Sequence, residues 1–173
     1  YDSGGGGWTG TLSSHNVAIG NATMTGAMNA ALRNVAVGFQ GLQALTTADD
    51  NTCIGNDAGK LITTGIENTI IGSAAGDGFD AESGNVVVGY GAYTGASAAN
   101  YVTALGTYTL TGAMTVAANG TVAVGYQALN DLTSGEHNVA IGYKALEHTD
   151  TGTDNIAIGY QALGDKDHHA NCA

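Results

Sequence analysis

The chain has 173 residues, a net charge of −11 and only four Lys and Arg residues. This shortage of positive charge argues against nucleic-acid binding through the phosphates and against attraction to an anionic membrane. There is also no run of about 18 apolar residues, so we expect no membrane insertion. With 28 glycines, no proline and 11% charged residues, the composition favours strands and turns over helices and disorder.

The chain divides into three segments by its pattern. Residues 1–15 contain four consecutive glycines and form a Gly-rich N-terminal cap or linker. Residues 16–163 are repetitive, and residues 164–173 form a polar C-terminal cap or tail. Order in such termini would require contacts that hold them. Head-to-tail stacking of subunits would provide these contacts and would build a filament.

A five-residue phrase of the form Asn-Val-Ala-Ile-Gly recurs nine times in the repetitive segment. Its closing glycines are Gly20, Gly38, Gly55, Gly72, Gly89, Gly106, Gly125, Gly142 and Gly159. The intervals between them are 18, 17, 17, 17, 17, 19, 17 and 17 residues. Such a period is typical of a solenoid, in which each repeat stacks on its neighbours. We therefore predict an all-β fold, a parallel β-solenoid (β-roll) of about nine coils with a 17-residue repeat.

Alternation within the phrase predicts which side chains face inward. The first and third residues before each glycine are apolar or Thr and share one face of a strand, which we assign to the interior. The residue between them then points outward, although it is small and apolar, so we expect a second subunit to cover it. The predicted subunit interface comprises Ala18, Ala36, Cys53, Ile70, Val87, Ala123, Ala140 and Ala157.

The first and second halves of the repeat also predict local structure. Asn opens seven of the nine phrases. Stacked Asn side chains can form hydrogen-bonded amide ladders, or Asn can simply tolerate a tight turn. After the glycine, the sequence Gly-Tyr-Gln-Ala-Leu predicts a short apolar strand or turn, exemplified by Ala128 and Leu129, with a single helical turn as the alternative.

The repeats resemble those of a known group of proteins. The phrases NVAIGYQAL, NVAIGYKAL and NTIIGSAAG are similar to the head repeats of trimeric autotransporter adhesins, the YadA-like β-roll, and to related repeats of phage tail fibres and virion proteins. The resemblance covers residues 16 to about 163. It implies parallel β-roll coils, homotrimers, and display on a bacterial surface or a virion.

Aromatic residues follow several of the repeat glycines. They are Phe39, Tyr90, Tyr126, Tyr143 and Tyr160. The last three fall in adjacent coils, about 4.8 Å apart. Such a column can bind glycans by stacking, or it can be a stabilising aromatic stack or a subunit contact.

Other candidate sites are few. Asp150 and Asp167 would be neighbours on successive coils and are the calcium candidates, with solvated carboxylates as the alternative. Cys53 and Cys172 lie too far apart along the rod for an intramolecular disulfide, so we consider an intermolecular bridge, or Cys53 as a small core residue. No catalytic motif occurs, and we predict neither enzymatic activity nor a cofactor.

These observations predict a structural, self-associating subunit of an extracellular or virion fibre. Its partner would be itself, as a homotrimer or a head-to-tail filament. The alternative is a surface adhesin or phage receptor-binding domain that recognises host glycans. The predicted location is extracellular, on a cell surface or on a virion.

Overall fold

The computed structural model describes residues 13–95, 99–112 and 118–164. Within them the chain is all-β, and each coil contributes one strand of three residues. The strands are β1 (Val17–Ile19), β2 (Val35–Val37), β3 (Thr52–Ile54), β4 (Thr69–Ile71), β5 (Val86–Val88), β6 (Thr103–Leu105), β7 (Val122–Val124), β8 (Val139–Ile141) and β9 (Ile156–Ile158). None of these described residues belongs to a helix long and apolar enough to cross a membrane.

The strands form one parallel sheet in sequence order, β1 to β9. Each residue pairs with its equivalent in the next coil, so Val35 lies beside Thr52 and Thr52 beside Thr69. This register confirms the predicted parallel β-solenoid with a repeat of about 17 residues. The longer coils of 18 and 19 residues keep the same pairing, because their extra residues lie outside the strands.

Where the structure describes it, the rest of each coil consists of turns rather than a second strand or a helix. Left-handed backbone recurs two and four residues after the repeat glycine, as at Gln127 (φ 53°) and Leu129 (φ 51°). Such residues reverse the chain sharply, which folds a 17-residue coil back on itself. Ala128 and Leu129 are fully buried, so the Gln-Ala-Leu segment is an apolar turn.

The strand side chains that face the interior are not the ones that the sequence predicted. The middle residue of β2 to β9 is buried, while the residues on either side of it are exposed or half-buried. The assignment of the middle column to a subunit interface is therefore wrong. The eight side chains assigned to that interface belong to the core: Ala18, Ala36, Cys53, Ile70, Val87, Ala123, Ala140 and Ala157. Ala18 is partly buried and the other seven are fully buried.

The interior is narrow and filled by residues from the turns. Leu129 and Leu132 of one coil, and Leu146 of the next, are fully buried opposite the strand. Phe79 and Tyr93 pack edge to face with their ring centroids 4.6 Å apart. Because these large turn residues already occupy the interior, the strand can contribute only a residue that is usually small.

The repeat glycines form a column in which the backbones touch. Gly72 has φ +142°, and a Cβ atom built on it would lie 2.3 Å from the carbonyl oxygen of Gly89. An L side chain rarely adopts this backbone and finds no space in this stack. The column therefore requires glycine wherever another coil packs above it.

The asparagines form the predicted amide ladder. Asn68 donates from Nδ2 to Oδ1 of Asn51 (2.9 Å), and Asn85 donates from Nδ2 to Oδ1 of Asn68 (3.1 Å). Each Oδ1 also accepts the backbone N–H of the next asparagine, as Asn68 Oδ1 does from Asn85 (3.0 Å). The ladder explanation is thus confirmed. Val102 and Thr121 interrupt it, and the buried hydroxyl of Thr121 has no hydrogen-bond partner.

Candidate interaction surface

The outward residues of the nine described strands make one continuous surface, which we call the strand face. Its first column is Val17, Val35, Thr52, Thr69, Val86, Thr103, Val122, Val139 and Ile156. Its second column is Ile19, Val37, Ile54, Ile71, Val88, Leu105, Val124, Ile141 and Ile158. Of these 18 side chains, two on each of nine strands, 17 are β-branched and none is charged.

The regularity of the strand face follows from its construction. Parallel strands lie about 4.8 Å apart, so eight steps give a length of about 38 Å. The β-branched side chains have few χ1 rotamers, which makes the surface stiff as well as apolar. An uncharged strip of this length is unusual on a chain with a net charge of −11. A contiguous exposed apolar patch of this kind is a candidate interaction surface.

An aromatic row lies beside the strand face, separated from it by the glycine column. We call it the tyrosine ladder: Tyr90, Tyr108, Tyr126, Tyr143 and Tyr160. Successive ring centroids are 5.4, 6.5, 5.4 and 5.1 Å apart. Lys144 lies 5.7 Å from the ring centroid of Tyr143, in a cation–π contact. The ladder therefore runs over five consecutive coils.

The ladder differs from the sequence prediction at two positions. Tyr108 was missed because Thr107 follows Gly106, and the tyrosine comes one residue later. Phe39 was included, but Asn56 and Ser73 occupy the position after the glycine in the next two coils. Phe39 is exposed on the second coil, and no ring contact joins it to the ladder among the described residues.

The orientation of the rings bears on the glycan prediction. Tyr126 and Tyr143 are stacked with an interplanar angle of 14°, and Tyr143 and Tyr160 with 6°. Their faces are therefore turned toward one another along the rod. Between these three rings, a bound sugar would meet ring edges and hydroxyl groups rather than open ring faces. Glycan binding at this column stays a prediction, and a stabilising aromatic stack is the arrangement observed.

The cysteine and acidic candidates have different outcomes. Cys53 is fully buried, and burial raises the pKa of its thiol. Its side chain cannot reach a second chain, so an intermolecular disulfide through Cys53 is wrong and the core explanation is confirmed. Cys172 and Asp167 lie outside the described residues. Asp150 accepts a hydrogen bond from the hydroxyl of Thr133 in the coil before it.

Charged residues lie away from the strand face and pair both across coils and within one coil. Arg33 donates two hydrogen bonds to Asp50, from Nε at 2.6 Å and Nη2 at 2.8 Å. This hydrogen bonding lowers the pKa of the Asp50 carboxyl. Burial, followed by the charge of Asp57, raises the pKa of Asp77. Within the described ranges there is no enclosed cavity and no group of three or more potential metal ligands.

Comparison with known proteins adds no identification. No protein-family model, no curated protein and no solved structure matches this chain. The resemblance to YadA-like repeats accordingly stays a prediction, and the functional argument depends on the surfaces themselves.

Proposed function

We propose that this protein is a structural, self-associating rod, a β-solenoid subunit of an extracellular or virion fibre. The observation that carries the proposal is the strand face, an uncharged apolar strip that runs along all nine described strands. A catalytic role and a cofactor form no part of it. The extracellular or virion location is proposed from the resemblance of the repeats.

A second copy of the chain fits the strand face better than an unrelated partner. Side chains in each column repeat about every 4.8 Å, and a second solenoid carries the same repeat by construction. Two such faces can interdigitate along their whole length, because the side chains of one fall into the gaps of the other. Elsewhere the negative charges of two copies repel, so the uncharged strip is the favoured place of approach.

The size of the surface predicts the strength of association. The strand face and the tyrosine ladder together measure about 38 Å by about 15 Å, on the order of 600 Å². Stable interfaces bury about 800 Å² on each partner. A pair of rods joined only here would therefore associate reversibly with concentration. Three rods, or rods also joined end to end, would gain further contact.

The test is the mass of the protein in solution as a function of concentration. Ile71, 38% exposed, lies on the strand face, and Ile71→Lys places a charge at its centre. Leu61, 51% exposed, lies in a turn of the preceding coil, so Leu61→Lys is the matched control. In sedimentation equilibrium we expect the unmodified chain and Leu61→Lys to associate, and Ile71→Lys to remain monomeric.

Two outcomes would contradict the proposal. An unmodified chain that stays monomeric at its highest soluble concentration would show that the strand face does not join copies. Equal association of all three proteins would place the contact elsewhere. Electron microscopy of the associated state would then separate a filament from a discrete oligomer. A discrete oligomer that binds sugars would favour the adhesin alternative.

A further inference from the structure

One pair in the tyrosine ladder is arranged differently from the stacked pairs. The rings of Tyr90 and Tyr108 meet edge to face, with centroids 5.4 Å apart and an interplanar angle of 83°. The pKa of Tyr108 is raised, chiefly by the interaction of its hydroxyl with that of Tyr90. The two rings are therefore in contact, and each carries carbons ortho to its hydroxyl. These ortho carbons are where a phenoxyl radical couples.

Both phenols are accessible to a reagent in solution, whereas the sulfur-bearing side chains of the described residues are buried. Tyr90 is 53% exposed and Tyr108 is 40% exposed. The sulfur-bearing side chains in the described part of the chain, Met24, Met28 and Cys53, are fully buried. Among the described residues, a one-electron oxidant therefore meets tyrosine before it meets sulfur.

We propose that Tyr90 and Tyr108 are an oxidative cross-linking site, which forms a dityrosine bond between the fifth and sixth coils. The oxidant is hydrogen peroxide used by a haem peroxidase. Each phenol loses one electron and its hydroxyl proton, and the two radicals join through their ortho carbons. The two ring hydrogens then move to the oxygens and restore both aromatic rings. Overall, two hydrogen atoms leave the phenols, and one peroxide becomes two waters.

The pair lies at a junction between coils that the amide ladder does not join. The amide ladder that joins the coils stops at the sixth coil, where Val102 stands in place of asparagine. Asn85 Oδ1 accepts only the backbone N–H of Val102 there (2.9 Å) and no side-chain donor. A covalent bond from Tyr90 to Tyr108 would span this same junction. It would join the fifth and sixth coils covalently where the amide ladder is interrupted.

The arrangement also explains why coupling is expected within one chain. Radical coupling between free phenols requires two radicals to meet, whereas these rings are held together in the folded rod. Holding two reactants in contact favours reaction between them over reaction with distant groups. Tyr101 offers the comparison, because it is 71% exposed and has no ring partner among the described residues.

The experiment uses the whole chain with a haem peroxidase and hydrogen peroxide. Dityrosine fluorescence reports the bond, a denaturing gel separates intrachain from interchain products, and mass spectrometry of chymotryptic peptides identifies the joined residues. We expect an intrachain product that joins Tyr90 to Tyr108. Tyr108→Phe removes the phenol, keeps the ring and should lose this product. The control Tyr101→Phe should keep it.

Several results would overturn the proposal. These are the absence of dityrosine, a bond mapped mainly to Tyr143 and Tyr160, or products that join two chains. Equal loss of the product in Tyr101→Phe would also overturn it. Circular dichroism of each variant before oxidation establishes that the solenoid is intact, so loss of the product cannot be assigned to unfolding. The expected bond between Tyr90 and Tyr108 lies within one chain, so its formation does not depend on whether the strand face joins two copies.

Discussion

Removal of one rung of the amide ladder should destabilise the rod far more than removal of a surface asparagine. Asn68 is fully buried, and its side chain takes part in four hydrogen bonds. Asn68→Ala leaves the backbone N–H of Asn85 and the carbonyl of Glu82 without these partners. Each buried polar group left without a partner costs about 1–3 kcal/mol. For these two groups together we therefore expect the free energy of unfolding to fall by about 2–6 kcal/mol.

The measurement is equilibrium unfolding in urea, followed by circular dichroism. Asn56→Ala is the matched control, since Asn56 is exposed and its side chain bonds only to the neighbouring Asp57. Its loss should change the free energy of unfolding by less than about 0.5 kcal/mol. If Asn68→Ala costs no more than Asn56→Ala, the ladder is not a source of stability and our reasoning is wrong.

Three further predictions concern the glycine column, the ladder interruption and the buried thiol. Gly72→Ala should cost more than Gly159→Ala in thermal unfolding: both strain a positive φ by about 1–3 kcal/mol, but only at Gly72 would the Cβ meet the next coil, at 2.3 Å. Equal costs would contradict the close contact. Thr121→Asn should raise the free energy of unfolding by about 1 kcal/mol, because the new amide can bond to the next asparagine and removes an unsatisfied hydroxyl; a loss of stability in the same urea titration would refute this. In a Cys172→Ser variant, Cys53 should resist maleimide until the chain is unfolded, and rapid labelling of the native protein, read by mass spectrometry, would show that the thiol is accessible.

The period and pairing of the coils could be predicted from the sequence because they depend on spacing alone. Nine glycines at nearly constant intervals allow one parallel register, and the structure has it. The amide ladder was also within reach, since Asn recurs at the same point of each repeat. The alternative, that Asn merely tolerates a turn, could be excluded only when the side-chain contacts were known.

Alternation could not predict which face of each strand is buried, because both faces are apolar. We assigned the larger residues, such as Val17 and Ile19, to the interior, yet they are 44% and 57% exposed. The missing information was the volume taken by turn residues such as Leu129 and Leu146. Once these fill a narrow coil, a small strand residue must face inward. The prediction therefore exchanged the buried column of the strand with the exposed ones.

Tyr108 shows a second limit of comparing the repeats position by position. The sixth coil places its tyrosine one residue late, so a strict column omits it. The ring nevertheless continues the ladder, 5.4 Å from Tyr90 and 6.5 Å from Tyr126. Side-chain length and turn geometry compensate for the shift, and neither can be read from spacing.

Because the coils stack in register, the number of coils determines the length of the rod. Each 17-residue coil advances the rod by about 4.8 Å, or about 0.3 Å for every residue added. Duplication or deletion of a whole coil would thus change the length by one fixed increment and leave the cross-section unchanged. Partial insertions, such as those of one and two residues in the first and sixth intervals, lie outside the strands and leave the strand pairing unchanged. Gain or loss of coils consequently changes the length of such a protein only in steps of one coil.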